Sequence, residues 1–218
     1  MSRVLVIPDV HNKIAIWDYA TALLHEDSTL DYAVVLGDTI DDYYNVDQDY
    51  RINMAKMVAF NYEFPNTVWL LGNHEISYLI DQPVTGNIDS GKRWAERYVD
   101  NFKPTIVWED GSVVFSHAGV WNHYCGYTPA EINSMDYREL WRDDSPIWAR
   151  PQLDAGVAAL RAKGEYIGKL QVIGHTPTAT VELGTNPEQH YLSCDVFSTD
   201  WGKKMGEEHL VVVDTVTA

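Results

Sequence analysis

The sequence predicts an α/β fold built on two stacked β-sheets. Short β-type runs alternate with stretches of helical period in the first half, and the second half is richer in β. No internal repeat, low-complexity tract or linker interrupts the chain. With 218 residues and 45% hydrophobic content, it is long enough for one domain with a sizeable core, so residues 1–218 are read as a single domain.

Taken in order, Arg3–Pro8 reads as a strand, and Ile14–Leu24 as a helix with apolar positions at Ile14, Trp17, Ala20, Leu23 and Leu24. Tyr32–Leu36 is the next strand, Gln48–Tyr62 the next helix and Thr67–Leu71 a third strand. Ser90–Phe102 has helical period, and Pro104 enforces its stop. The second half opens with strands at Thr105–Trp108 and Ser112–Ser116 around a turn at Glu109-Asp110-Gly111. Thr128-Pro129-Ala130-Glu131 is a helix start, with Pro at the first helical position and Glu completing a capping box. Leu153–Lys163 reads as a short helix ended by Gly164. Leu170–Ile173, Ala179–Leu183, Gln189–Ser193 and His209–Asp214 then read as strands.

Composition excludes several classes of function. The formal net charge is −16, from 32 acidic against 16 basic side chains, and such a surface repels nucleic acid backbones. No run of apolar residues is long enough for a membrane span, and the first residues lack the pattern of a secretory signal. The expectation is a cytoplasmic protein without a nucleic acid or membrane partner. Its two well-separated cysteines, Cys125 and Cys194, are then expected to be free, buried thiols.

The chemistry concentrates where strands end. Val4–Pro8 is followed by Asp9-Val10-His11, Ala33–Leu36 by Gly37-Asp38-Thr39-Ile40-Asp41, and Val68–Leu71 by Gly72-Asn73-His74-Glu75. Val113–Ser116 ends at His117, and Val172-Ile173-Gly174 at His175. Each apolar run hands off to a metal-competent side chain, and the carboxyl ends of strands form the ligand crevice of open α/β sheets. A lone Asp after a strand is usually a turn residue or helix cap, and a lone His usually a satisfied interior group. Six such residues at five strand ends are not independent accidents. Asp9, His11, Asp38, Asn73, His117 and His175 are therefore placed along one edge. Carboxylate, amide oxygen and imidazole suit manganese, iron or zinc. A bridging carboxylate would hold two such ions about 3.5–4 Å apart.

These residues resemble the calcineurin-like metallophosphoesterases, and most closely the branch of phosphoprotein phosphatases with their bacterial and bacteriophage relatives. The resemblance spans residues 9 to 177. It rests on Asp-Val-His (9–11), Gly-Asp-Thr-Ile-Asp (37–41), Gly-Asn-His-Glu (72–75), Ser-His-Ala-Gly (116–119) and Gly-His-Thr-Pro (174–177). It implies a four-layered αββα sandwich of two mixed β-sheets flanked by helices, with two divalent ions, manganese foremost, at its edge. Asp9, His11 and Asp38 would hold the first ion. Asp38 would bridge, and Asn73, His117 and His175 would complete the second. His74 would project toward substrate as general acid, positioned by Asp41, while a metal-bridging hydroxide attacks phosphorus in line. Arg150 resembles a phosphate-gripping arginine, with an unconnected surface arginine as the alternative.

The departures bear on substrate. Where phosphoprotein phosphatases place a phosphate-binding arginine after Gly-Asp-x-x-Asp, this chain has Asp42, expected to turn to solvent, with Arg51, Arg138 or Arg142 as candidate replacements. Pro8 and Asn12 stand in for glycines, Pro177 for a further superfamily histidine, and Cys194-Asp195-Val196-Phe197 for Asp-Thr-Gly. The leading expectation is a phosphatase acting on phosphate monoesters: small-molecule esters, phosphopeptides (including phosphoprotein Ser/Thr) or nucleotides. A dinucleoside polyphosphate hydrolase or phosphodiesterase is the second, and a non-enzymatic scaffold the third. His123 is a candidate for the substrate cleft, whereas His25 is read as a helix-end charge and His190 and His209 as structural.

Overall fold

The computed structural model describes residues 1–153, 160–186, 189–200 and 203–215. Its first half runs β1 (Arg3–Ile7), α1 (Ala15–Glu26), β2 (Tyr32–Val35), α2 (Asp47–Glu63), β3 (Thr67–Trp69), α3 (Asn73–Leu79) and α4 (Gly91–Phe102). The second half carries β4 (Val107–Asp110), β5 (Val113–Ser116), α5 (Pro129–Asn133), β6 (Leu170–Ile173), β7 (Glu182–Asn186) and β8 (Gln189–Ser193). A short ribbon of β9 (Thr199–Asp200) and β10 (Lys203–Lys204) precedes β11 (Val211–Asp214).

Two mixed sheets result, as expected. One has the order β11-β1-β2-β3 and the other β4-β5-β6-β8-β7. In the first, β1, β2 and β3 run parallel and β11 antiparallel. In the second, β5, β6 and β8 run parallel between antiparallel edges.

The strand period of two decides which side chain faces which layer. Val4, Val6, Val34 and Leu36 point into a core shared with Val113, Phe115 and Val172 of the second sheet. Their neighbours Leu5, Ile7, Ala33 and Val35 point the other way. They meet Ile16, Trp17 and Ala20 of α1, Met54, Met57 and Phe60 of α2, and Trp94, Tyr98 and Phe102 of α4. The buried set of α2, at spacings of three and four, is the apolar stripe that anchors a helix to a sheet. The second sheet's outer face is covered by α5, short turns and loops. All parallel strands thus end at one edge, where the loops after β1, β2, β3, β5, β6 and β8 meet.

Some elements differ from the sequence reading. Helix α3 was not anticipated, since seven residues after a strand show no period. Its start is nonetheless encoded, because Glu75 reaches back to the Gly72 amide at 3.0 Å. The strand expected at Ala179–Leu183 begins only at Glu182, which pairs with Ser193, the last residue of β8. Before Glu182 no ladder partner remains, because the chain after β8 leaves for the site edge. The strand expected at Thr105–Trp108 is displaced to Val107–Asp110, Thr105 forming an isolated bridge to Leu70. Of the helix expected over Leu153–Lys163, residues 154–159 lie outside the described residues. Leu160–Lys163 is not helical, and Gly164–Tyr166 forms one 3-10 turn. Cys125 and Cys194 are free and buried. Among the described residues, no helix is long and apolar enough to cross a membrane.

One buried carboxylate ties the loops after β2 and β3 together. Glu75 accepts the backbone N–H groups of Asp38 at 3.0 Å, Thr39 at 2.6 Å, Ile40 at 3.3 Å and Gly72 at 3.0 Å, plus the Thr39 hydroxyl at 2.8 Å. Gly37 and Gly72 permit the approach, since a Cβ on Gly37 would lie 2.4 Å from the Gly72 nitrogen. Gly37 also has φ +97°, which only glycine adopts freely. Replacing Glu75 by Ala strands four amides in a dry interior. The expected cost is about 3–5 kcal/mol of unfolding free energy, measured by denaturant titration.

Candidate metal centre and its surroundings

The six expected ligand positions come together. Asp9, Asp38, Asn73, His117 and His175 are buried, and His11 is mostly so. Asp38 Oδ2 lies at the middle, 3.2 Å from His117 Nε2 and 3.9 Å from both His11 Nε2 and His74 Nε2. His117 Nε2 is also 3.0 Å from Asn73 Oδ1 and 3.1 Å from His175 Nδ1. Ligand-capable atoms within 4.8 Å of one another form two groups, His11–Asp38–His74 and Asp38–His117–His175, with Asp38 common to both. Asp9 stands beside them, both its carboxylate oxygens receiving the His175 amide, at 3.1 and 3.0 Å.

The local backbone makes this convergence possible. His11, Asp38, Asp41 and His175 all have left-handed φ, of +45°, +46°, +68° and +67°. Histidine and aspartate tolerate that region better than most residues, yet each such position stores about 1 kcal/mol or more. Gly174 gives Asp9 its room, since a Cβ there would lie 2.0 Å from Asp9 Oδ1.

Backbone carbonyls orient two of the imidazoles. His117 Nδ1 donates to Leu36 O at 3.0 Å and His11 Nδ1 to Asp41 O at 2.7 Å, so each Nε2 faces inward. His175 Nε2 is buried with no partner among the described residues. Ring nitrogens facing a carboxylate, with an orphaned one beside them, fit a divalent cation of the manganese, iron or zinc type, which would take the place of the proton on His117. The electrostatics agree. Burial would raise the Asp38 carboxyl, but His117 and His74 hold it well below its ordinary range. Burial and then Asp195 push the Asp9 carboxyl well above its ordinary range.

His74 and Asp41 form a supported pair. His74 Nδ1 lies 3.1 Å from Asp41 Oδ2, which also receives Asn87 Nδ2 at 2.6 Å. Asp41 Oδ1 receives the hydroxyls of Tyr78, at 2.7 Å, and Tyr50. Burial opposes a charged imidazole at His74, but Asp38 and the Asp41 hydrogen bond outweigh it and lift its pKa to about 9. Arg150 is half-buried beside His175, its Nη1 donating to Thr176 Oγ1 at 3.3 Å; it lies within the fields of Asp38 and Asp9.

Several expectations change. Asp42 does not turn simply to solvent. Its carboxylate pairs with Lys13 Nζ at 3.1 Å and receives the Thr199 hydroxyl at 3.3 Å. Asp42 lines a cavity of about 120 Å³ together with His11, Tyr43 and His74. None of the arginines proposed as replacements lines that cavity. Arg138 and Arg142 instead border a separate cavity with His123, so His123 does not face His74 either. His190 and His209 are exposed. Residues unassigned by the sequence reading are Lys13, Tyr50, Tyr78, Asn87 and Glu75, together with Asp195, noted only as a departure. Asp195 alone carried the strand-end signal, masked because Cys194 stands between it and β8.

Comparison with known proteins bears on family and fold. The calcineurin-like phosphoesterase family matches residues 2–201 of the chain. The crystal structure of the cold-active protein-tyrosine phosphatase of a psychrophilic Shewanella species is similar, with a TM-score of 0.66 at 16% identity, over 97% of this chain and 75% of that one. A protein serine/threonine phosphatase from Saccharomyces cerevisiae gives a TM-score of 0.57 at 13% identity, over 89% and 67%. At these identities the likeness is one of fold. No curated protein sequence matches the chain.

The Lys13–Asp42 pair is open to direct measurement. Its side chains are only 19% and 18% exposed, so truncating one strands the other charge in a partly dry place. Asp42→Ala is expected to cost about 1–3 kcal/mol, and the double variant Lys13→Met/Asp42→Leu less than the sum of its single changes, in a double-mutant cycle of unfolding free energies.

Proposed function

Since this chain belongs to the calcineurin-like phosphoesterase family and is a hydrolase of phosphate esters, we propose that it is a dinuclear-metal-dependent phosphatase acting on phosphate monoesters, phosphoprotein Ser/Thr esters among them. The observation that carries this reading is Asp38 Oδ2, the corner shared by two groups of ligand-capable atoms. Asp9, His11 and Asp38 would hold one ion, and Asp38, Asn73, His117 and His175 the other, with manganese foremost. When bound, two divalent ions neutralise charge on the phosphoryl oxygens and lower the pKa of water at the site.

The chain's own groups supply the rest. His74 holds a proton through the field of Asp38 and the Asp41 hydrogen bond, and its Nε2 faces the Asp38 side of the centre. It would deliver that proton to the departing alkoxide. Tyr50, Tyr78 and Asn87 keep Asp41 oriented for the task. Arg150, beside His175, would grip phosphoryl oxygens with its planar fork.

A second reading, a diester or a dinucleoside polyphosphate, draws on the cavity beside His74: Asp42 on its wall is paired with Lys13, and among the described residues no arginine lines it to clamp a dianion. With manganese supplied, turnover of an aryl phosphate monoester is expected to exceed that of a bis-aryl diester, and excess chelator to abolish both. The reverse ratio favours the second reading, and turnover in excess chelator removes metal from the mechanism. His74→Asn is expected to lower turnover by about 10²–10⁴ with metal retained. Loss of metal from that variant would instead make His74 a ligand.

A further inference from the structure

Asp195 is the most confined carboxylate that the reading above leaves without a task. It is 1% exposed, Oδ1 accepts the Ser198 amide at 3.2 Å, and Oδ2 is buried with no hydrogen-bond partner among the described residues. A carboxylate has about four acceptor sites, and leaving them unmet away from water is costly.

Its position follows from the sheet. Strand β8 runs parallel to β6, with Ile173 opposite Ser193, so Cys194-Asp195 lies alongside Gly174-His175. The Cys194 amide extends this pairing to Ile173 O at 2.8 Å, and Asp195 O receives the Thr178 amide at 2.9 Å. Asp195 therefore leaves a sixth strand end at the same edge as Asp9 and His175. Of the charged groups around Asp9, Asp195 acts on it most strongly. Among the described residues Asp9 receives only the His175 amide and Asp195 only the Ser198 amide, while Lys13 and His117 act on Asp195 through space. The acceptor sites still unmet on these two buried carboxylates are ones a divalent cation would fill.

We propose that Asp195 is a further carboxylate of the metal centre, its unpartnered Oδ2 serving the ion on the Asp9 side directly or through a water. The inference rests on the reading that this centre binds divalent metal. It makes the Asp9 side richer in carboxylate than the Asn73 side, so the ion held there is the more sensitive to loss of one negative charge.

The test is calorimetric titration of metal-free protein with Mn²⁺, beside thermal unfolding with and without Mn²⁺, for wild type, Asp195→Asn and Asp195→Ala. In both variants one of the two Mn²⁺-binding events, that of the ion on the Asp9 side, is expected to weaken about 10–100-fold while the other is unchanged. The stabilisation by Mn²⁺ should shrink, while the metal-free form unfolds no earlier than wild type. Unchanged Mn²⁺ affinity in both variants overturns the proposal. So does a metal-free form that unfolds earlier with its Mn²⁺ increment intact, since that marks a purely structural carboxylate. If wild type binds no Mn²⁺, the metal reading beneath the proposal fails as well, an outcome distinct from binding that ignores Asp195.

Discussion

Four backbone amides and one hydroxyl from two different loops converge on the carboxylate of Glu75. Strands deliver polar residues to the sheet edge, but they do not by themselves hold the loops in register there. The Glu75 contacts do, and they place Asp38 where its carboxylate faces three imidazoles. They also cap α3, so Asn73 and His74 begin a helix and not a free turn. The His74 amide can then donate to Asp38 Oδ1 at 2.9 Å. Gly37 and Gly72 complete the arrangement through backbone contact between the loops, closer than side chains would allow.

With the loops held, the edge stores strain and charge together. Left-handed backbone at His11, Asp38, Asp41 and His175 aims their side chains inward, and only packing around them sustains it. Leu36 O and Asp41 O each take one imidazole proton, which settles the nitrogen that faces the centre. Three buried carboxylates, Asp9, Asp38 and Asp195, are gathered at this edge, a concentration of buried charge that is costly unless cations stand close by.

The acidic surface is compatible with an anionic substrate because charge is handled locally. Asp42 is paired with Lys13, and Asp41 is surrounded by Tyr50, Tyr78, Asn87 and His74. Arg150 lies within reach of the Asp38 and Asp9 fields, while Arg138 and Arg142 belong to another cavity.

The sequence alone determined the two-sheet α/β class and the six residues at strand ends, because hydrophobic runs and the residues that terminate them are local properties. The same rule covered Asp195, although Cys194 separates it from its strand. Other features were invisible for a physical reason: their partners are brought together only by packing. Asp41 meets Asn87 across 46 residues and Tyr78 across 37, and Asp38 meets Glu75 across 37. The expectation that Asp42 faces solvent fails for the same reason, since its partner Lys13 comes from the loop after β1. Tertiary structure decided which carboxylates are paired, which keep a buried oxygen without a hydrogen-bond partner among the described residues, and how the His74–Asp41 pair is held. Those outcomes depend on distances between strand ends, which no spacing along the chain contains.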